Sequence, residues 1–209
     1  MVAVTVRAGS KAEMALPDGT FVHLNAATNL EYDVNNSKQR LVKLSGEAFF
    51  DVAKNPDCPF KVIINDLQFE VVGTSFNVKT YKKDIVETSL LSGRIRISGG
   101  SLPHEYTLSP GQKATYSAMD RTLRISKADA HVEAGWRDNY LIFESTPLID
   151  VIAQIERWYG VEIRLHHKQI AQDLLSGSFR NESIQNVIRS LSIQYGFKYE
   201  IHKDIITIY

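Results

Sequence analysis

The chain has 209 residues, 44% of them hydrophobic, enough to bury an ordinary core in one large β-domain or two smaller domains. Its 24 basic residues balance 24 acidic ones, with 17 against 15 up to Arg137 and 7 against 9 beyond it, so neither part carries the cationic footprint of a nucleic-acid binder or an acidic tail. The single cysteine, Cys58, excludes an intrachain disulfide and a cysteine-built zinc site.

The opening MVAVTVRAGSKAEM has too short an apolar run for a signal peptide, and no later run approaches the roughly 18 apolar residues of a membrane span, so a soluble chain is expected. From residue 14 to about 127 the text is short alternating segments broken by turns, the pattern of an all-β domain. Val22 and Leu24 share a face, as do Leu67, Phe69 and Val71, and Ile95 and Ile97 alternate with Arg94 and Arg96. Pro17, Asp18 and Gly19 predict one tight turn, and Pro110 with Gly111 another, because proline fixes φ and glycine permits a positive one.

After HVEAGWRDN the pattern changes. YLIF reads as a strand, and Ser145 or Thr146 is placed to cap a helix with Pro147 in its first turn. Leu148, Val151, Ile152, Ile155 and Tyr159 fall on one helical stripe, Gly160 sits where a left-handed C-cap belongs, and VEIRL follows as a strand. The same phrase then recurs 36 residues later: Phe143 is answered by Phe179, and Val151, Ile152, Ile155, Tyr159 and Gly160 by Val187, Ile188, Leu191, Tyr195 and Gly196. Here Asn181 is the expected cap, FKYEI the following strand and IITIY a last one. One strand, helix and strand cannot cover its own apolar stripe, so the two copies are expected to pack together as a β-α-β-β-α-β domain. The fold class is therefore α+β, with an all-β domain over residues 1–130, a twisted solenoid-like stack or an open sandwich, followed by the β-α-β-β-α-β domain over residues 131–209.

LPDGTFVHLNAATNLEY, LSGEAFFDVAKNPDCPFKV, FEVVGTSFNV and VETSLLSGRIRI, in this order and followed by SPGQKA, resemble the FecR family of sigma-factor regulators of Gram-negative bacteria. GWRDNYLIFESTPLIDVIAQIERWYGVEI is similar to the module that closes the Bacteroidetes members, itself similar to the secretin and TonB short N-terminal domain. The resemblance favours the stack for the β-domain. It implies an anti-sigma factor whose cytoplasmic segment holds an extracytoplasmic-function sigma factor, with one transmembrane helix and then a periplasmic part. This sequence shows neither of the first two, and is expected to be the periplasmic part of a protein anchored in the inner membrane. The implied partner is the N-terminal signalling domain of a TonB-dependent outer-membrane transporter. A partner of that kind can add a strand to an open sheet edge, and Ile205, Ile206, Thr207, Ile208 and Tyr209 are the candidate edge. No cofactor or metal is implied, no nucleic-acid partner, and no catalysis in trans.

The resemblance also singles out Gly73 and Thr74, because some family members cleave themselves at a Gly-Thr in this position, the hydroxyl attacking the preceding carbonyl. Such a step needs a strained peptide and a positioned hydroxyl; otherwise Gly73 marks a strand bulge and Thr74 an ordinary strand residue. Glu47 and Asp51 share one strand face roughly 13 Å apart, too far for a glycosidase pair, and are expected to be solvated or to bond a turn. His166 and His167 diverge as neighbours with no further ligand at metal spacing. Cys58 reads as loop packing; Trp136, Trp158 and Tyr159 are of the type that builds a sugar platform, but Tyr159 is matched by Tyr195 and belongs to the core stripe, and Trp136 is expected to pack at the domain junction. A carbohydrate-binding or hydrolytic β-domain with an accessory module is the alternative class; it predicts a concave pocket with converging carboxylates. A structural component that assembles by stacking its repeat is the third.

Overall fold

A computed structural model describes residues 1–33, 40–166 and 168–209. The chain divides into two units, one of Met1–Val6 with Lys11–Ala134, the other of Arg7–Ser10 with Gly135–Tyr209.

The first unit holds two seven-stranded sheets. One contains β1 (Val2–Val6), β4 (Thr28–Tyr32), β5 (Arg40–Ser45), β7 (Phe60–Ile64), β8 (Leu67–Val71), β11 (Ile95–Gly99) and β12 (Tyr106–Leu108), adjacent in that order. The other contains β2 (Ala12–Ala15), β3 (Phe21–Leu24), β6 (Glu47–Asp51), β9 (Ser75–Lys79), β10 (Ile85–Ser92), β13 (Gln112–Ser117) and β14 (Thr122–Lys127), again adjacent in that order. Strand order follows chain order in both sheets, so the chain crosses between layers and adds strands at one advancing edge, as in a solenoid-like stack. Neighbours are antiparallel except β5 and β7, which run parallel because β6 crosses to the other sheet between them. The two inner faces meet in one core, as in a sandwich, so the two expected architectures describe one object.

Alternation sets that core. Val22, Leu24, Leu67, Phe69, Val71, Ile95 and Ile97 are all buried in it. Phe50 of β6 lies 5.8 Å from the Phe60 ring of the facing sheet and stacks on Phe76 of its own sheet at 5.3 Å. The Pro17 turn forms as expected: Gly19 takes φ +83°, its N–H donates to Leu16 O at 3.0 Å, and the Asp18 carboxylate accepts from Thr20 N at 3.0 Å and Thr20 Oγ1 at 2.8 Å. After β14 a short helix, α1 (Ala130–Ala134), completes the unit.

The second unit runs β15 (Tyr140–Pro147), α2 (Leu148–Tyr159), β16 (Glu162–Leu165), β17 (Leu174–Arg180), α3 (Ile184–Tyr195), β18 (Tyr199–His202) and β19 (Ile205–Ile208). The repeat is visible in its topology, because the first strands of the two copies, β15 and β17, pair with each other in an antiparallel ladder. Leu148, Val151, Ile152 and Ile155 of α2 and Val187, Ile188 and Leu191 of α3 enter one shared core. Gly160 and Gly196 end the two helices at φ +69° and +70°, and Ser145 and Asn181, also 36 residues apart, both take positive φ just before them. That backbone kink corrects the expected caps. Ser145 sits in a bulge between Phe143 and Thr146, Thr146 Oγ1 turns back to Glu144, and Pro147 is the N-cap without a side-chain bond. In the second copy Ser183, not Asn181, caps the helix, accepting from Asn186 N at 3.2 Å.

Candidate functional site

The last strand overturns the expected edge. The three-stranded sheet is ordered β16-β19-β18, so Ile205, Ile206, Thr207 and Ile208 lie in its middle, parallel to β16 and antiparallel to β18. The cause is the repeat itself: β16 and β18 are its matched second strands, they do not pair with each other, and β19 fills the space between them. Ile206 and Ile208 are thereby buried in the core. Tyr209 follows the strand, exposed, its N–H donating to Lys198 O at 2.9 Å and its ring stacked on His166 at 5.8 Å. His167 lies outside the described residues.

The strand edges of this unit are therefore those of β16, β18, β15 and β17. β16 carries Glu162 and Arg164, and β18 carries Glu200 and His202, charges of the kind that blunt an edge against further pairing. β15 is broken by its bulge and contains Glu144. β17, in contrast, reads LLSGSFR, pairs among the described residues only with β15, and exposes Ser176, Gly177 and Ser178.

Gly73 and Thr74 link β8 of one sheet to β9 of the other. The strand setting does not apply, for Gly73 lies in a bend outside any strand, and Thr74 precedes β9. Thr74 is 2% exposed; its Oγ1 donates to Arg94 O at 3.1 Å and accepts from Arg94 N at 3.4 Å, while its carbonyl accepts from Val52 N at 3.0 Å. Gly93, at φ +87°, backs this junction so closely that a Cβ there would stand 2.6 Å from Thr74 Oγ1 and 2.7 Å from Gly73 O.

Glu47 departs from its expected solvated role. It is 7% exposed and its carboxylate accepts from Asn25 Nδ2 at 2.7 Å and Asn77 Nδ2 at 2.9 Å, fastening β9 and the end of β3 to β6. Asp51 is exposed and accepts from Ser75 Oγ at 2.7 Å. The two carboxylates thus serve separate structural bonds. Burial pushes the nearby Lys11 ammonium down to about 8, against the opposing pull of Glu47. On β13, Lys113 bridges Glu87 at 2.8 Å and Glu133 of α1 at 2.9 Å.

Sequence reasoning missed Arg40, whose buried guanidinium donates to Cys58 O at 2.6 Å, Ala53 O at 2.7 Å and Asn55 O at 3.2 Å, and pairs with Asp18 at 3.2 Å. It holds the Cys58 loop, and a lone arginine opening an apolar strand is the only signal in the sequence. Trp136 is buried and Trp158 half-buried. Among the described residues no cluster of three or more His, Cys, Asp or Glu side chains is arranged to hold a metal ion, and no helix is long and apolar enough to cross a membrane.

Two family models match, FecR protein over residues 2–96 and FecR, C-terminal over residues 140–208. No curated protein matches the chain. Two crystal structures of a candidate anti-sigma factor from Parabacteroides distasonis, at 1.65 Å and 2.50 Å, are 30% identical to it, with TM-scores of 0.89 and 0.88. Both comparisons cover 100% of this chain, and they cover 99% and 98% of the other. Full-length likeness at that identity, with both family regions in order, decides the assignment: the chain belongs to the FecR family of anti-sigma factors.

Proposed function

We propose that this chain is the periplasmic signal-receiving part of a membrane-anchored anti-sigma factor. The signalling domain of a TonB-dependent outer-membrane transporter docks on the second unit, and the signal passes to an extracytoplasmic-function sigma factor through a cytoplasmic segment outside this sequence. The observation that carries the reading is the likeness over the whole chain to a candidate anti-sigma factor. The form of the second unit supports it, since a small domain with a strand paired on one side only, and uncharged over residues 175–179, offers main-chain hydrogen bonds to an incoming segment.

No catalysis in trans enters this role. Glu47 and Asp51, the carboxylates that invite a hydrolytic reading, are bonded to separate neighbours. A transcriptional reporter tests the proposal in cells. Removing residues 135–209 from the full-length protein should uncouple the sigma factor's promoters from the transporter's ligand, and an unchanged ligand response would sink it.

A further inference from the structure

Strand addition needs an edge whose N–H and C=O groups are open, whose backbone is regular, and whose side chains do not repel a neighbour. In the second unit β17 meets all three conditions. Its central residues, 175–179, contain no charge, no proline and no bulge, whereas β15 is bulged at Ser145, φ +44°, and β16 and β18 present charged side chains. Space is open as well: a Cβ added to Gly177 would meet nothing within 4 Å.

The exposed row of β17 also has a direction. Leu174, Ser176, Ser178 and Arg180 point to one face by the period of two, an apolar side chain at one end, two small hydroxyls between, and a cation at the other. Leu174 is 60% exposed, and Ile149, which follows Pro147 at the same end of the ladder, is 44% exposed. At the far end Arg180 lies 4.6 Å from the Tyr140 ring centroid and has no carboxylate partner among the described residues.

We infer, resting on the docking role proposed above, that β17 is the strand that receives the signalling domain. What it receives is an extended segment, uncharged opposite residues 175–179, with an acidic side chain toward Arg180 and an apolar one toward Leu174 and Ile149. The acid satisfies the unpaired guanidinium, and the apolar residue covers two side chains that water now reaches. This names the edge and the side-chain pattern that the added strand must present along it, where the docking role alone names neither.

Hydrogen exchange on the whole 209-residue chain, with and without the purified signalling domain of a TonB-dependent transporter from the same organism, separates the outcomes. Expected is slowed exchange of the β17 amides in the complex with β16 and β18 unchanged. A double variant, Ser176→Lys with Ser178→Lys, should weaken binding by about tenfold or more. Both positions are exposed, but Ser176 Oγ accepts from Ser145 N at 2.8 Å, so Ser178→Lys alone, which leaves that bond in place, should weaken binding in the same direction with the melting temperature unchanged. Binding with protection on β16 or β18 instead, or binding untouched by the two lysines, overturns the assignment of β17 and leaves the docking role standing. Protection of β17 that grows with the concentration of the chain alone would make the occupant a second copy and overturn the partner named here. No binding at all overturns the docking role, and this inference with it.

Discussion

Tyr159 and Tyr195 occupy matched positions at the ends of α2 and α3, yet only the first hydroxyl finds an acceptor. Tyr159 Oη donates to Glu182 O at 2.8 Å, while Tyr195 Oη is buried without a hydrogen-bond partner among the described residues. A made hydrogen bond contributes about 1 kcal/mol net, whereas an unmet buried hydroxyl costs its desolvation. Tyr159→Phe should therefore lower stability by about 1 kcal/mol, and Tyr195→Phe should leave it unchanged or raise it. Chemical denaturation of both variants checks this, and equal losses would contradict it.

Gly93→Ala should be among the most damaging single-methyl changes in the first unit. The added carbon would stand 2.6 Å from Thr74 Oγ1 in a backbone conformation, φ +87°, that alanine adopts only under strain. A loss of about 2 kcal/mol or more is expected, since the strain and the clash add. A melting temperature within a degree or so of the parent would show that the Thr74 junction yields more easily than its packing implies.

Gly73 and Thr74 should remain joined. The Thr74 hydroxyl is engaged with backbone groups of Arg94, and no side-chain base is among its hydrogen-bond partners. Intact-mass measurement after prolonged incubation should show one full-length species. A fragment beginning at Thr74 would mean that the junction reaches a reactive geometry.

Two lysines give opposite pH signatures. Burial would raise the Glu87 carboxyl, but Lys113 and Lys79 outweigh it and hold it below its usual range; burial likewise opposes Lys113, yet Glu87 and Glu133 raise it. The Lys113 cluster thus stabilises fully between the ordinary values of 4.5 and 10.5, losing strength as pH falls below the first or climbs past the second. Lys11 behaves inversely. With its folded value down at about 8 against 10.5, the unfolded chain holds the extra proton in that window, so stability rises with pH across it. Denaturant midpoints measured from neutral pH to the upper end of that window should climb for the parent and flatten in Lys11→Met. An identical slope in the two proteins would remove Lys11 as the cause.

Period-two alternation exposed the β-core in advance because a residue's face in a sheet follows from parity: Val22, Leu24, Phe69 and Ile97 were assignable without knowing their partners. The 36-residue repeat likewise exposed both helices, their glycine caps and the joint core. Pairing was not legible, because which strands are neighbours depends on contacts distant in sequence. An apolar segment such as IITIY reads the same at an edge or in the middle, and only the separation of β16 from β18 shows that β19 lies between them. Burial of Glu47 was hidden for the same reason, since Asn25 and Asn77 reach it from other strands. The caps failed locally instead: positive φ at Ser145 and Asn181 moved the helix starts by a residue or two.

Calorimetric titration of the 209-residue chain with the signalling domain of a TonB-dependent transporter from the same organism tests the central claim most directly. The account predicts saturable one-to-one binding, tighter than about a millimolar, the weak limit of specific contacts. Absence of heat and of any mobility change up to that concentration, with both proteins folded, would contradict it.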